Sequence, residues 1–184
     1  MLWPFKRFLN PQTPLRGTIE AIYGMIVAQA REPLFYQALH VPDTVNGRFD
    51  MIVLHLWLVL RPLRAAEGGA VPAGGLGQGL FDRFCSDMDA NLREMGVGDL
   101  TVPKRMQKFG EAFYGRTAAY DKALAAGRDA LADALARNVL NTTDTARAAG
   151  LCDYVTAAVA ALDAVDRATL QAGTFRFPDP RIPA

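Results

Sequence analysis

Hydrophobic positions along the chain recur mostly at spacings of three and four. Between Gly17 and Arg31, Ile19, Ile22, Tyr23, Ile26 and Val27 gather on one helical face. Thr18 is placed to cap that helix and Pro33 to end it. Leu34 to Leu39 is long enough for a short helical piece. His40 to Asp50 (HVPDTVNGRFD) holds Pro42, Asp43, Asn46 and Gly47, all turn formers, and predicts an ordered turn. From Arg48 to Ala66 apolar side chains surround the axis on nearly every side, which predicts the central helix of a bundle. His55 is its polar interruption, and Pro62 is placed to bend its last turn.

Glu67 to Gly79 holds six glycines and a proline in thirteen residues and predicts a flexible connector. It lacks the phosphate-loop pattern and follows a helix where such a loop follows a strand. Two amphipathic helices come next. Phe81, Phe84, Cys85, Met88, Leu92 and Met95 form the apolar face of the first, with the pairs Arg83–Asp87 and Asp89–Arg93 four apart on its surface. Gly96 and Gly98 end it. Thr101 and Pro103 predict the start of the second, whose buried stripe is Met106, Phe109, Phe113, Thr117 and Tyr120. Lys122 to Leu140 is alanine-rich with a thin seam of Leu124, Leu131, Leu135 and Val139. Asn141 to Asp144 is a stop and restart, and a last helix carries Leu151, Val155, Val159 and Leu162 towards Leu170. The proline-rich end should be extended, either anchored on the body by Phe175 and Phe177 or loose. No useful strand alternation appears. The prediction is an all-α, single-domain bundle of about six or seven helices over residues 17–170. An irregular arm precedes it (residues 1–16) and an extended tail follows (residues 171–184).

A chain of 184 residues has ample length for a core. Its net charge of +1 argues against a general nucleic-acid binder, and DNA is not expected as a partner. Charge is nevertheless unevenly placed. Residues 80–99 hold five acids and two bases, whereas residues 101–122 hold five bases and two acids. The two helices should attract each other side by side; otherwise the second presents a positive strip. Cys85 and Cys152 are far apart on apolar faces, which fits a reducing cytosol. The most apolar run, Met51 to Leu60, has ten residues, about half of the ~20 needed to cross a bilayer. With no signal-peptide core at the start, a cytoplasmic location is expected. In the N-terminal arm Trp3, Phe5 and Phe8 interleave with Lys6 and Arg7. Such a segment either packs on the domain or rests peripherally on an anionic membrane at the inner face of the cytoplasmic membrane.

The sequence holds little that could carry catalysis. Glu-x-x-His pairs are missing, two histidines and two separated cysteines make no standard zinc site, and no nucleophile elbow is present. No cofactor or metal is predicted. Asp82, Asp87 and Asp89 have the wrong spacing for a magnesium-holding aspartate motif and read as a helix surface. His55 reads either as a satisfied core histidine or as a functional one.

Three blocks carry a resemblance: AIYGMIVAQAREPLFYQAL, then VPDTVNGRFDMIVLHLWLVLRPL, then LFDRFCSDMDANLREMGVGDLTVPKRMQKFGEAFYGRTAAYDKAL. Together they cover most of residues 21–124, and they resemble the ubiquinol–cytochrome c chaperone family, related to the mitochondrial factor that assists cytochrome b assembly. Without a mitochondrial presequence, the chain is similar to a bacterial-type member. The resemblance implies an all-α fold, no catalysis, and binding of nascent or unassembled cytochrome b or of the machinery producing it. It implies a setting at the ribosomal tunnel exit with a partner chaperone. Positions within the blocks carried over as partner-binding candidates are Asp43, Arg48, Asp50, His55, Asp82, Asp89, Arg93, Asp99, Lys104, Tyr114, Arg116 and Tyr120. The basic strip adds Arg105 and Lys108.

A chaperone for a membrane protein needs an apolar surface, and residues 49–60, with more apolar side chains than one buried stripe needs, are the candidate lining. Lys104, Arg105, Lys108 and Arg116 form a strip suited to ribosomal RNA or anionic lipid. Two other readings stand beside this one: a lipid- or isoprenoid-binding enzyme or carrier with a pocket around residues 51–60, and an RNA-binding module on the basic helix.

Overall fold

The computed structural model describes residues 16–66 and 75–181. Among them every regular element is helical: α1 (Arg16–Ala30), α2 (Pro33–Gln37), α3 (Val45–Ala66), α4 (Leu76–Glu94), α5 (Val102–Ala126), α6 (Arg128–Asn138), α7 (Ala149–Asp163) and α8 (Arg167–Ala172), with a 3₁₀ turn at Thr145–Ala148. Six long helices and two short ones build the predicted all-α bundle. Trp3, Phe5, Lys6, Arg7 and Phe8, the expected membrane-surface residues, lie outside the described residues.

Helix α3 is the axis of the bundle and touches α1, α4, α5, α7 and α8. All ten residues from Met51 to Leu60 are buried, at most 7% exposed. This narrows the expectation that residues 49–60 line an open cradle: five neighbouring helices cover most of the stretch, while Phe49 and Ile52 border one opening and Trp57 and Leu60 another. Helix α3 also starts three residues earlier than expected. Asn46 and Gly47 lie in its first turn, where the Gly47 N–H donates to Thr44 Oγ1 over 3.1 Å. Glycine is needed at that place because a Cβ on Gly47 would stand 2.0 Å from the Pro42 carbonyl oxygen. The turn before α3 therefore folds back onto it, and turn-forming residues serve a helix start.

Other helix boundaries shift for equally local reasons. Helix α4 begins at Leu76, inside the glycine-rich stretch expected to be a connector as far as Gly79, because Leu76, Gly77 and Leu80 bury against the bundle. Thr101 makes no side-chain cap; the first turn of α5 is held instead by Val102 N–H donating to Gly98 O. The alanine-rich helix is split at Gly127, whose φ of 109° belongs to glycine. The last helix breaks before Asp166, whose carboxylate caps α8 at the Thr169 N–H. Phe175 and Phe177 are buried, so the extended tail is anchored and not loose. Gln29 Nε2 also donates to the Pro178 carbonyl.

Helices α4 and α5 pack through aromatic rings, with Phe81 and Phe84 against Phe113 at 4.9 and 5.8 Å between centroids. Among the described residues their opposite charges do not pair across that contact. Arg83 reaches Glu20 on α1, and Arg116 reaches Asp50 on α3.

Candidate partner-binding groove

Where the start of α3, the end of α4 and the first turns of α5 converge, the surface opens into an apolar groove of about 210 Å³. Phe49 and Ile52 come from α3, Met88 and Leu92 from α4, and Phe109 from α5. The Phe49 and Phe109 rings stack at 4.8 Å, which gives the groove a stiff base. Val45 and Met95, 68% and 56% exposed, stand at its lip. Leu100, in the loop after Met95, is 99% exposed. Met95 thus departs from the buried stripe predicted for α4, because the helix ends one residue before it. Arg31, Arg48, Asn46 and Asn91 complete the lining.

The polar framework beneath the groove is shared between α3 and α5. Arg116 Nη2 stands 2.7 Å from Asp50 Oδ1, an ion-pair distance, although the angles fall outside hydrogen-bond alignment. The same guanidinium lies over the Phe49 ring, 5.7 Å from its centroid. Asp50 is 1% exposed, and burial pushes its carboxyl up to about 6 against the opposing pull of Arg116. The buried Tyr120 hydroxyl has no hydrogen-bond partner among the described residues, and burial, reinforced by Asp50, holds it protonated.

Three of the partner-binding candidates, Asp50, His55 and Tyr120, therefore lie in the interior. His55 Nδ1 lies 2.8 Å from the Met51 carbonyl and Nε2 lies 2.8 Å from Tyr154 Oη. Burial drives its ring down to about 4, so the neutral ring donates through Nδ1 and accepts from the tyrosine. Phe35, Tyr154 and Phe177 enclose it.

The remaining candidates are on or near the surface. Asp43 pairs with Arg48 at 2.8 Å beside the groove. Arg93 bridges Asp89 and Asp99, and Asp82 accepts from Gln78. Lys104, Arg105 and Lys108 are exposed on the first turns of α5, with no ion pair among the described residues. Tyr114, 62% exposed, borders a second cleft of about 160 Å³ with Trp57, Leu60, Phe81 and Phe113. His55 lines neither opening, and both are open, which opposes a closed isoprenoid pocket around residues 51–60.

Arg31, Val45, Met88, Met95 and Phe109 were not singled out by sequence reasoning. Each falls in a turn, a helix end or a stripe that reads as core, and only their convergence from three elements makes a groove.

No helix among the described residues is long and apolar enough to cross a membrane, and no group of three or more His, Cys, Asp or Glu there is arranged to hold a metal ion. Geometrically this is a helical bundle with an apolar groove opening between three helices. The chain belongs to the ubiquinol-cytochrome C chaperone family, whose model matches residues 37–177.

Among its relatives is ubiquinol-cytochrome-c reductase complex assembly factor 1 of Xenopus laevis, 29% identical over 134 residues, covering 72% of this chain and 66% of that protein. The Drosophila melanogaster protein of the same name is 25% identical over 164 residues, covering 86% of this chain and 62% of that one. The chain thus spans a little under two thirds of the length of these curated relatives. The crystal structure of the Cbp3 homolog from Brucella abortus superposes with a TM-score of 0.78 at 39% identity, covering 89% of this chain and 90% of that one. The same bundle is therefore found in a solved structure.

Proposed function

We propose that this chain is a non-enzymatic assembly chaperone that binds newly made cytochrome b, or the machinery producing it, during biogenesis of ubiquinol–cytochrome c reductase. The observation that carries the reading is the open apolar groove at Val45, Phe49, Met88, Met95 and Phe109, in a chain whose relatives are named as assembly factors of that complex. An unassembled membrane subunit exposes apolar surface that must be covered, and a partly open groove with two methionines is suited to holding it reversibly. The exposed bases Lys104, Arg105 and Lys108 provide a separate positive surface for the ribosome near the tunnel exit or for peripheral contact with an anionic membrane.

Deleting the gene and quantifying assembled ubiquinol–cytochrome c reductase in membranes tests this directly. The expected result is a loss of assembled complex that the intact chain restores. Normal complex in the deletion strain would remove the proposal.

A further inference from the structure

The groove's size and charge restrict what it can take. An enclosed apolar cavity of about 150 Å³ accommodates a benzene, so a groove of about 210 Å³ accepts one large apolar side chain and part of a second. A membrane-crossing helix, about 20 residues long and apolar all round, has far more surface than this groove covers. Among the described residues the lining contains two guanidinium groups, Arg31 and Arg48, and no carboxylate. The first turn of α3, Val45 and Asn46, adds the positive end of a helix dipole. Asp43 engages one side of Arg48, while Arg31 has no ion pair among the described residues.

We propose that the groove seats one short amphipathic helix of the unassembled subunit, outside its membrane-spanning segments, with a large apolar residue between Phe49, Met95 and Phe109 and acidic residues against Arg31 and Arg48. This rests on reading the groove as the binding surface and adds the chemistry of its occupant. Charge separates the candidates. The chain's own residues 1–15 carry Lys6 and Arg7 and no acid, the wrong charge for that rim. Membrane-spanning segments are flanked on their cytoplasmic side by Lys and Arg, with the same mismatch. A helix with an apolar stripe and flanking glutamates satisfies both the pocket and the rim, the helix-in-groove arrangement with an electrostatic register. Met88 and Met95 adapt to the anchor's shape, while the stacked phenylalanines fix the depth.

The test uses the full chain and two fluorescent designed peptides of about three helical turns. Both have the same Leu/Phe stripe, one flanked by Glu and the other by Lys. Fluorescence anisotropy should show the Glu peptide binding about tenfold or more tighter, with affinity that falls as salt rises. Arg31→Glu with Arg48→Glu should reverse the preference. Met95→Glu, at an exposed position, should weaken both peptides without changing the melting temperature; Val45→Glu serves as a second lip variant. Equal binding of the two peptides, or binding of neither, overturns the inference. So does binding of phosphatidylglycerol vesicles that depends on Arg31 and Arg48 when peptide binding does not. If Met95→Glu abolishes complex assembly in cells while neither peptide binds, the chaperone role stands and the occupant is wrong. If the deletion strain assembles the complex normally, the chaperone role fails whatever the peptides do.

Discussion

Asp50 and His55 both sit in α3, and burial moves their proton affinities in opposite directions. Asp50 is raised from an ordinary 3.8 to about 6. The folded state therefore holds its proton more tightly than the unfolded chain, and this stabilisation is full below the ordinary value and lost as pH rises through about 6. His55 is lowered from 6.5 to about 4. The unfolded chain then takes the proton more readily, so that contribution is lost as pH falls from 6.5 towards 4. The two slopes oppose each other over nearly the same interval. Relative to the parent chain, Asp50→Asn should make stability fall more steeply on acidification, and His55→Gln should do the reverse. Urea unfolding at several pH values measures both; identical slopes in all three chains would contradict the assignment.

Arg116 links this chemistry to the groove, since it neutralises Asp50 and lies over the Phe49 ring. Arg116→Ala strands a buried carboxylate and should cost about 3–5 kcal/mol at pH 8, where Asp50 is ionised. The cost should be smaller at pH 5, where Asp50 takes up its own proton. A cost independent of pH would show that lost packing, not the ion pair, is responsible.

At the level of elements, the six long helices were legible because their apolar stripes repeat strongly. Their ends were less legible, because the same residues terminate one element and begin another. In sequence Gly47 fits a turn former, yet its role is to let the first turn of α3 pass the Pro42 carbonyl. Gly79 similarly belongs to α4, where a Cβ would meet Ile19 Cδ1 at 2.5 Å. The two glycines differ in what yields: at Gly47 the obstacle is backbone, at Gly79 the end of a flexible side chain. Gly47→Ala should therefore destabilise by about 1–3 kcal/mol or more, and Gly79→Ala by clearly less, as measured by chemical denaturation. Equal losses would argue against the close approach at Pro42.

The apolar excess of α3 was visible in sequence, but its use was not. A helix buried by five neighbours and a helix lining a cradle carry the same residues, and only tertiary packing tells them apart. The groove was illegible for a related reason. Phe109 and Met88 fit core stripes, and what leaves them accessible is the early end of α4 beside the start of α3.

Considered as a whole molecule, the bundle is closed at one side by its C-terminal segment. Phe177 packs edge-on to His55 at 5.2 Å, and Gln29 ties Tyr154 to the Pro178 carbonyl. Phe177→Ala should cost about 3 kcal/mol or more in stability and expose the tail to limited proteolysis while leaving the groove, whose lining includes neither Phe175 nor Phe177, able to bind. Loss of binding in step with tail release would mean that the two ends are coupled.

The central claim is that the α3–α4–α5 groove is where an unassembled subunit is held. A photo-crosslinking residue placed in cells at Met95, and in a control chain at Thr156 on the exposed side of α7, addresses it most directly. The account predicts a crosslink to cytochrome b from position 95, strongest while the complex is being made, and none from position 156. Equal crosslinking from both positions, or crosslinking to cytochrome b from position 156 alone, would contradict it.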